Sequence, residues 1–147
     1  MHTVELLPDD ELDSRVREMW GLLGERGLAS HPHPTNRPHL TVVTAPSLDG
    51  LPELALPIEV EIGPPRMLGR ALVLPVTPNA ALRDMHELVW SSLAEAWPPA
   101  AEWVPHISLA LRFPEGDHTA REMSGPATGT LTKARSYDSV TRTVRDL

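Results

Sequence analysis

Apolar positions along this chain change period in a regular order. Thr3–Leu7 is a short strand-like run, and after it Leu12, Val16, Met19 and Leu23 recur at spacings of three and four. That is the stripe of a helix with one buried face. It predicts a helix over 9–24, opened by Pro8-Asp9 and closed at Gly24 and Gly27. Arg70–Val76 is a second strand-like run, followed by Leu82, Met85, Val89 and Leu93 at the same spacings. A second helix is expected over 79–96, opened by Pro78-Asn79 and closed by Pro98-Pro99. A histidine-bearing strand follows each helix, at 39–45 and 105–111, and a further strand follows each of those. The first is Ile58–Ile62, where apolar residues alternate with Glu59 and Glu61; the second is Thr128–Tyr137, with Thr141–Arg145 after a turn at Asp138-Ser139. Segments 29–38 and 113–127 are rich in Pro, Gly, His and Asp and read as surface loops, and Gly63-Pro64-Pro65 reads as a turn.

The same order of elements occurs twice. An offset of 70 residues places Leu12 on Leu82, Trp20 on Trp90, Leu23 on Leu93 and Glu25 on Glu95, and the histidine strands repeat at an offset of 67. The chain reads as one supersecondary unit duplicated, β-α-β-β twice, with halves at roughly 1–66 and 67–147. The expected fold class is α+β with antiparallel sheets, in a single domain.

Length and charge narrow the partners. At 147 residues the chain supports one real core, and no apolar run approaches the ~18 to 20 residues that cross a bilayer. Its first residues lack the basic start and apolar stretch of a secretory signal, so a cytoplasmic protein without membrane contact is expected. With no cysteine, thiol nucleophiles and zinc-thiolate sites are excluded. The formal charge is −7, and Lys133 is the sole lysine. A protein that grips long duplex nucleic acid needs a basic excess, so a nucleotide or short RNA end is the expected nucleic-acid partner. A local patch drawn from Arg37, Arg66, Arg70 and Arg112 remains open.

Chemistry concentrates in a repeated phrase, Pro38-His39-Leu40-Thr41-Val42 and Pro105-His106-Ile107-Ser108-Leu109. Side chains two apart on a strand share a face, so His39 should project with Thr41 and His106 with Ser108. If the two strands meet across a pseudo-twofold axis, a common groove receives two imidazoles and two hydroxyls. Imidazole exchanges protons near neutrality, so one ring can take a proton from an attacking oxygen while the other gives one to a leaving oxygen. Thr41 and Ser108 can donate to the phosphate oxygens on which charge gathers. A core explanation fits poorly, because every polar atom would need a buried partner.

The paired His-x-Thr and His-x-Ser motifs, in a duplicated layout covering essentially the whole chain, resemble the 2H phosphoesterase superfamily. Its members include bacterial 2′-5′ RNA ligase-like proteins and cyclic nucleotide phosphodiesterases. The resemblance implies two lobes around a central groove, no cofactor, and metal-independent opening of 2′,3′-cyclic phosphates or a related 2′-5′ phosphodiester reaction. It implies His39 and His106 as the catalytic pair and Thr41 and Ser108 as phosphate-binding hydroxyls. A monomer acting on a nucleotide or RNA end is expected. Several relatives carry an arginine five residues after the second histidine; here Leu111 stands there and Arg112 comes sixth. Strict alternation puts Arg112 on the face of His106 and Ser108, which makes it a phosphate-binding candidate.

Two rivals stand beside this reading. One is a non-catalytic module holding a nucleotide or phosphometabolite in the same groove. The other is a metal-dependent hydrolase built on His31 and His33, whose spacing matches no common zinc pattern and reads better as a proline-stiffened loop. His86 reads as a helix-surface residue, His2 and His118 as exposed, and Trp20 and Trp90 as packing against the sheets. Trp103, Phe113 and Tyr137 are candidate platforms for a nucleobase.

Overall fold

The computed structural model describes residues 1–28, 35–114, 123 and 126–147. Eleven elements follow in order: β1 (His2–Pro8), α1 (Asp10–Glu25), β2 (Leu40–Ala45), β3 (Ile58–Glu61), β4 (Arg66–Leu68), β5 (Ala71–Pro75), α2 (Ala80–Ser92), a 3-10 turn (Ala100–Glu102), β6 (His106–Ala110), β7 (Thr128–Asp138) and β8 (Thr143–Asp146). The fold is α+β. All eight strands join one curled antiparallel sheet in the order β3-β7-β1-β2-β6-β5-β4, with β8 on β7. The sheet bends back on itself: Ile62, just past β3, bridges Val76, just past β5.

Both helices start as their sequences predict. Asp9 Oδ1 accepts from the Leu12 amide at 2.8 Å, and Asn79 Oδ1 from the Leu82 amide at 2.9 Å, so equivalent caps satisfy equivalent orphan donors. The apolar stripes Leu12, Val16, Met19, Leu23 and Leu82, Met85, Val89 are buried. They pack into one core with Val4, Leu6, Leu40, Val42, Ile107 and Leu109.

The second helix stops earlier than the expected 79–96. Leu93 turns extended at its C-terminal cap, Glu95 takes a left-handed φ of 55°, and Trp97 joins the sheet edge. Two ladder bonds from Trp97 to Thr44, at 2.8 and 2.9 Å, hold the chain there, and a helix running to 96 would forgo them. The apolar pattern of the sequence does not signal β4 or the 3-10 turn. His86 is also not a surface residue. It is 1% exposed, because α2 buries the 82, 85, 86 and 89 positions together.

Candidate active site on adjacent strands

Leu40 of β2 and Ile107 of β6 are registered partners, and both are fully buried. Stepping one residue either way along an antiparallel pair sets His39 opposite Ser108 and Thr41 opposite His106. Alternation then turns all four to the face away from Leu40 and Ile107, where each is half-buried. The structure thus brings both phrases to neighbouring strands and one face of the sheet.

The two rings are held alike. His39 Nδ1 lies 2.7 Å from the Arg37 carbonyl, and His106 Nδ1 lies 2.7 Å from the Val104 carbonyl. Each bond spans a proline, Pro38 or Pro105, which carries no amide hydrogen of its own. A carbonyl oxygen only accepts, so each Nδ1 carries its hydrogen and each Nε2 is left for chemistry. Among the described residues neither the Thr41 nor the Ser108 hydroxyl is engaged in a hydrogen bond.

Two indoles hold the backbone beneath. Trp20 of α1 donates Nε1–H to the Ser108 carbonyl, and Trp103 donates to the Thr41 carbonyl, both at 3.1 Å. Trp103 in turn stacks on His86 at 4.3 Å between centroids, and His86 Nε2 lies 2.9 Å from the Pro98 carbonyl, which can only accept. Burial lowers the His86 pKa below its ordinary value, with the Pro98 bond and Glu87 opposing. Trp90 donates to the Ala96 carbonyl at 3.1 Å.

The site is not symmetric. Glu5 faces Thr41 in the β1–β2 register, and its Oε2 lies 3.9 Å from His39 Nε2, so an ion pair forms there whenever His39 carries its second proton. Arg135 Nε donates to Glu5 Oε1 and Thr3 Oγ1 to Glu5 Oε2, both at 2.8 Å. Opposite Ser108, where β5 takes the place of β1, stands the fully buried Val73. Sequence reading missed Glu5 and Arg135, which lie 130 residues apart. Only the oddity of a glutamate inside an apolar strand hinted at them.

Strict alternation does not carry through to Arg112. β6 carries a bulge: Val73 pairs Ser108 but Leu72 pairs Ala110, so Leu109 is skipped and Ser108 and Ala110 face opposite ways. The strand ends at Ala110, and Arg112 lies exposed two residues beyond. Strict alternation from His106 therefore does not reach it. Of the proposed base platforms, Phe113 is buried and Trp103 is occupied by His86 and Thr41, while Tyr137 lies on β7. Arg37 sits near Asp13, with its Nη2 4.0 Å from Asp13 Oδ2. His2 is half-buried on β1, whereas His31, His33 and His118 lie outside the described residues.

A cavity of about 790 Å³ opens elsewhere, lined by Asp9, Glu11, Glu59, Glu61, Asn79 and neighbours, and none of the four motif residues borders it. Among the described residues, no helix is long and apolar enough to cross a membrane. Compared with protein-family models and with curated proteins, the chain matches none.

Proposed function

We propose that this chain is a 2H-type phosphodiesterase. It opens 2′,3′-cyclic phosphates, or acts on 2′-5′ phosphodiester bonds, of nucleotides or RNA ends, with no metal in the step. One observation carries the reading: two histidines 67 residues apart share a strand pair, a face and a carbonyl-fixed tautomer, each across from the other phrase's hydroxyl. In hydrolysis, one neutral Nε2 takes a proton from water as the water oxygen bonds to phosphorus. The other ring, protonated, gives its Nε2 hydrogen to the ribose oxygen as the P–O bond breaks. Thr41 and Ser108 donate to the non-bridging oxygens. Ligation is the reverse passage through the same centre.

We read the chain as a duplication whose two halves flank a groove holding the four residues. The bulges support it: β2 skips Val42 just after Thr41, as β6 skips Leu109 just after Ser108. So do the matched helix caps and the β3–β5 bridge, which echoes the β7–β1 pairing.

The test is incubation with 2′,3′-cyclic nucleotides in excess chelator. Turnover should persist, and His39→Ala and His106→Ala should each lower kcat by about 10²–10⁴ while circular dichroism stays unchanged. Binding without turnover in the wild type would make the protein a nucleotide-holding module instead.

A further inference from the structure

We infer that Trp97 is the platform on which the substrate's nucleobase stacks, an inference that rests on the phosphodiesterase reading and names its substrate as base-bearing. Trp97 is 56% exposed, although its backbone is fixed by two ladder bonds to Thr44. A residue pair that exchanges both backbone bonds points its side chains to one side of the sheet. Thr44 pairs Thr3, whose hydroxyl bonds Glu5, whose carboxylate lies 3.9 Å from His39 Nε2. That chain of contacts sets the Trp97 ring on the histidine face.

The spacing suits a nucleoside. Beyond the Leu40–Ile107 pair, β2 parts from β6, and Trp97 takes the vacated edge. Thr44 lies three residues past Thr41, a span of at most about 10 Å at ~3.3 Å per residue. A phosphate on Thr41 and Ser108 therefore sits close enough along β2 for a nucleoside to reach the indole. Two other aromatics near the site are engaged beneath it, while Tyr137, two residues past Arg135 on β7, shares the site face but lies across β1 from β2. The Trp103 ring is stacked on His86 and its N–H is spent on Thr41, and the Trp20 N–H is spent on Ser108. Base–aromatic stacking tolerates any base, so the platform selects for the presence of a base more than for its identity.

The test compares wild type, Trp97→Ala and Trp97→Phe. Kinetics use 2′,3′-cyclic AMP and the base-free 2′,3′-cyclic phosphate of methyl riboside; calorimetry measures binding of 3′-AMP and ribose 3-phosphate. Trp97→Ala should raise KM for the cyclic nucleotide and Kd for 3′-AMP about tenfold, with kcat kept and both base-free ligands unaffected. Trp97→Phe should restore most of the loss. Equal losses on base-bearing and base-free ligands, or none on either, overturn the platform. If the wild type turns over neither substrate yet binds 3′-AMP in a Trp97-dependent way, the catalytic reading falls and the platform stands. If it also binds no 3′-AMP, both fall.

Discussion

Glu5 sits in a strand whose neighbours Val4, Leu6 and Leu7 are buried, and it is only 4% exposed itself. A carboxylate is stable in such a place only with its charge and lone pairs matched. Arg135 supplies the charge and one hydrogen bond, and Thr3 supplies another. Arg135 also reaches the Thr35 carbonyl at 2.9 Å, while the Tyr137 amide donates to Thr3 Oγ1, so the cluster ties β1, β7 and the segment before β2 together. Removing the carboxylate strands a buried guanidinium. Glu5→Ala should cost about 3–5 kcal/mol in urea unfolding, far more than an exposed glutamate. A loss under about 1 kcal/mol would mean that water already screens the pair.

At the scale of elements, α2 grips the approach to β6 through one side chain. His86 bonds the Pro98 carbonyl and stacks on Trp103, whose indole holds β2 at Thr41. Burial lowers its pKa, so the folded protein keeps the ring neutral while the unfolded chain protonates it first. Its contribution is complete above the unfolded value of about 6.5 and is lost as pH falls from there toward the lower folded value. Stability by urea titration should therefore decline over that interval, and His86→Phe, which keeps a stacked ring, should flatten the decline. An identical pH slope in both proteins would contradict this. The helix stripes, caps and histidine strands were legible in the sequence because each rests on spacing within one element. The end of α2 was not, because the pull on residues 93–97 comes from Thr44, an element away. His86 was misread for a related reason: the stripe of Leu82, Met85 and Val89 leaves 86 at its margin, and only Trp103 decides its side.

The whole molecule is set by which strands become neighbours. The repeated order of elements read from the sequence signalled an α+β fold with antiparallel pairing, but β7 crosses to lie between β1 and β3, and every strand joins a single sheet. Nothing in local periodicity orders strands from different halves, so that path lay beyond sequence reading. The local rule of alternation gives only the pairs within each strand, His39 with Thr41 and His106 with Ser108; that the two strands adjoin comes from the register of Leu40 with Ile107. The bulges, Glu5 and Trp97, which give the face its shape and asymmetry, arise only when strands meet. The central claim is that both rings serve one phosphate through Nε2, and nitrogen-15 NMR of histidine-labelled protein titrated with 3′-AMP reads it directly. Both neutral rings should carry their hydrogen on Nδ1 in the free protein, and the Nε2 signals of His39 and His106 should shift together at one ligand concentration. If one ring responds and the other does not, or if the two saturate at different concentrations, the rings do not share a site.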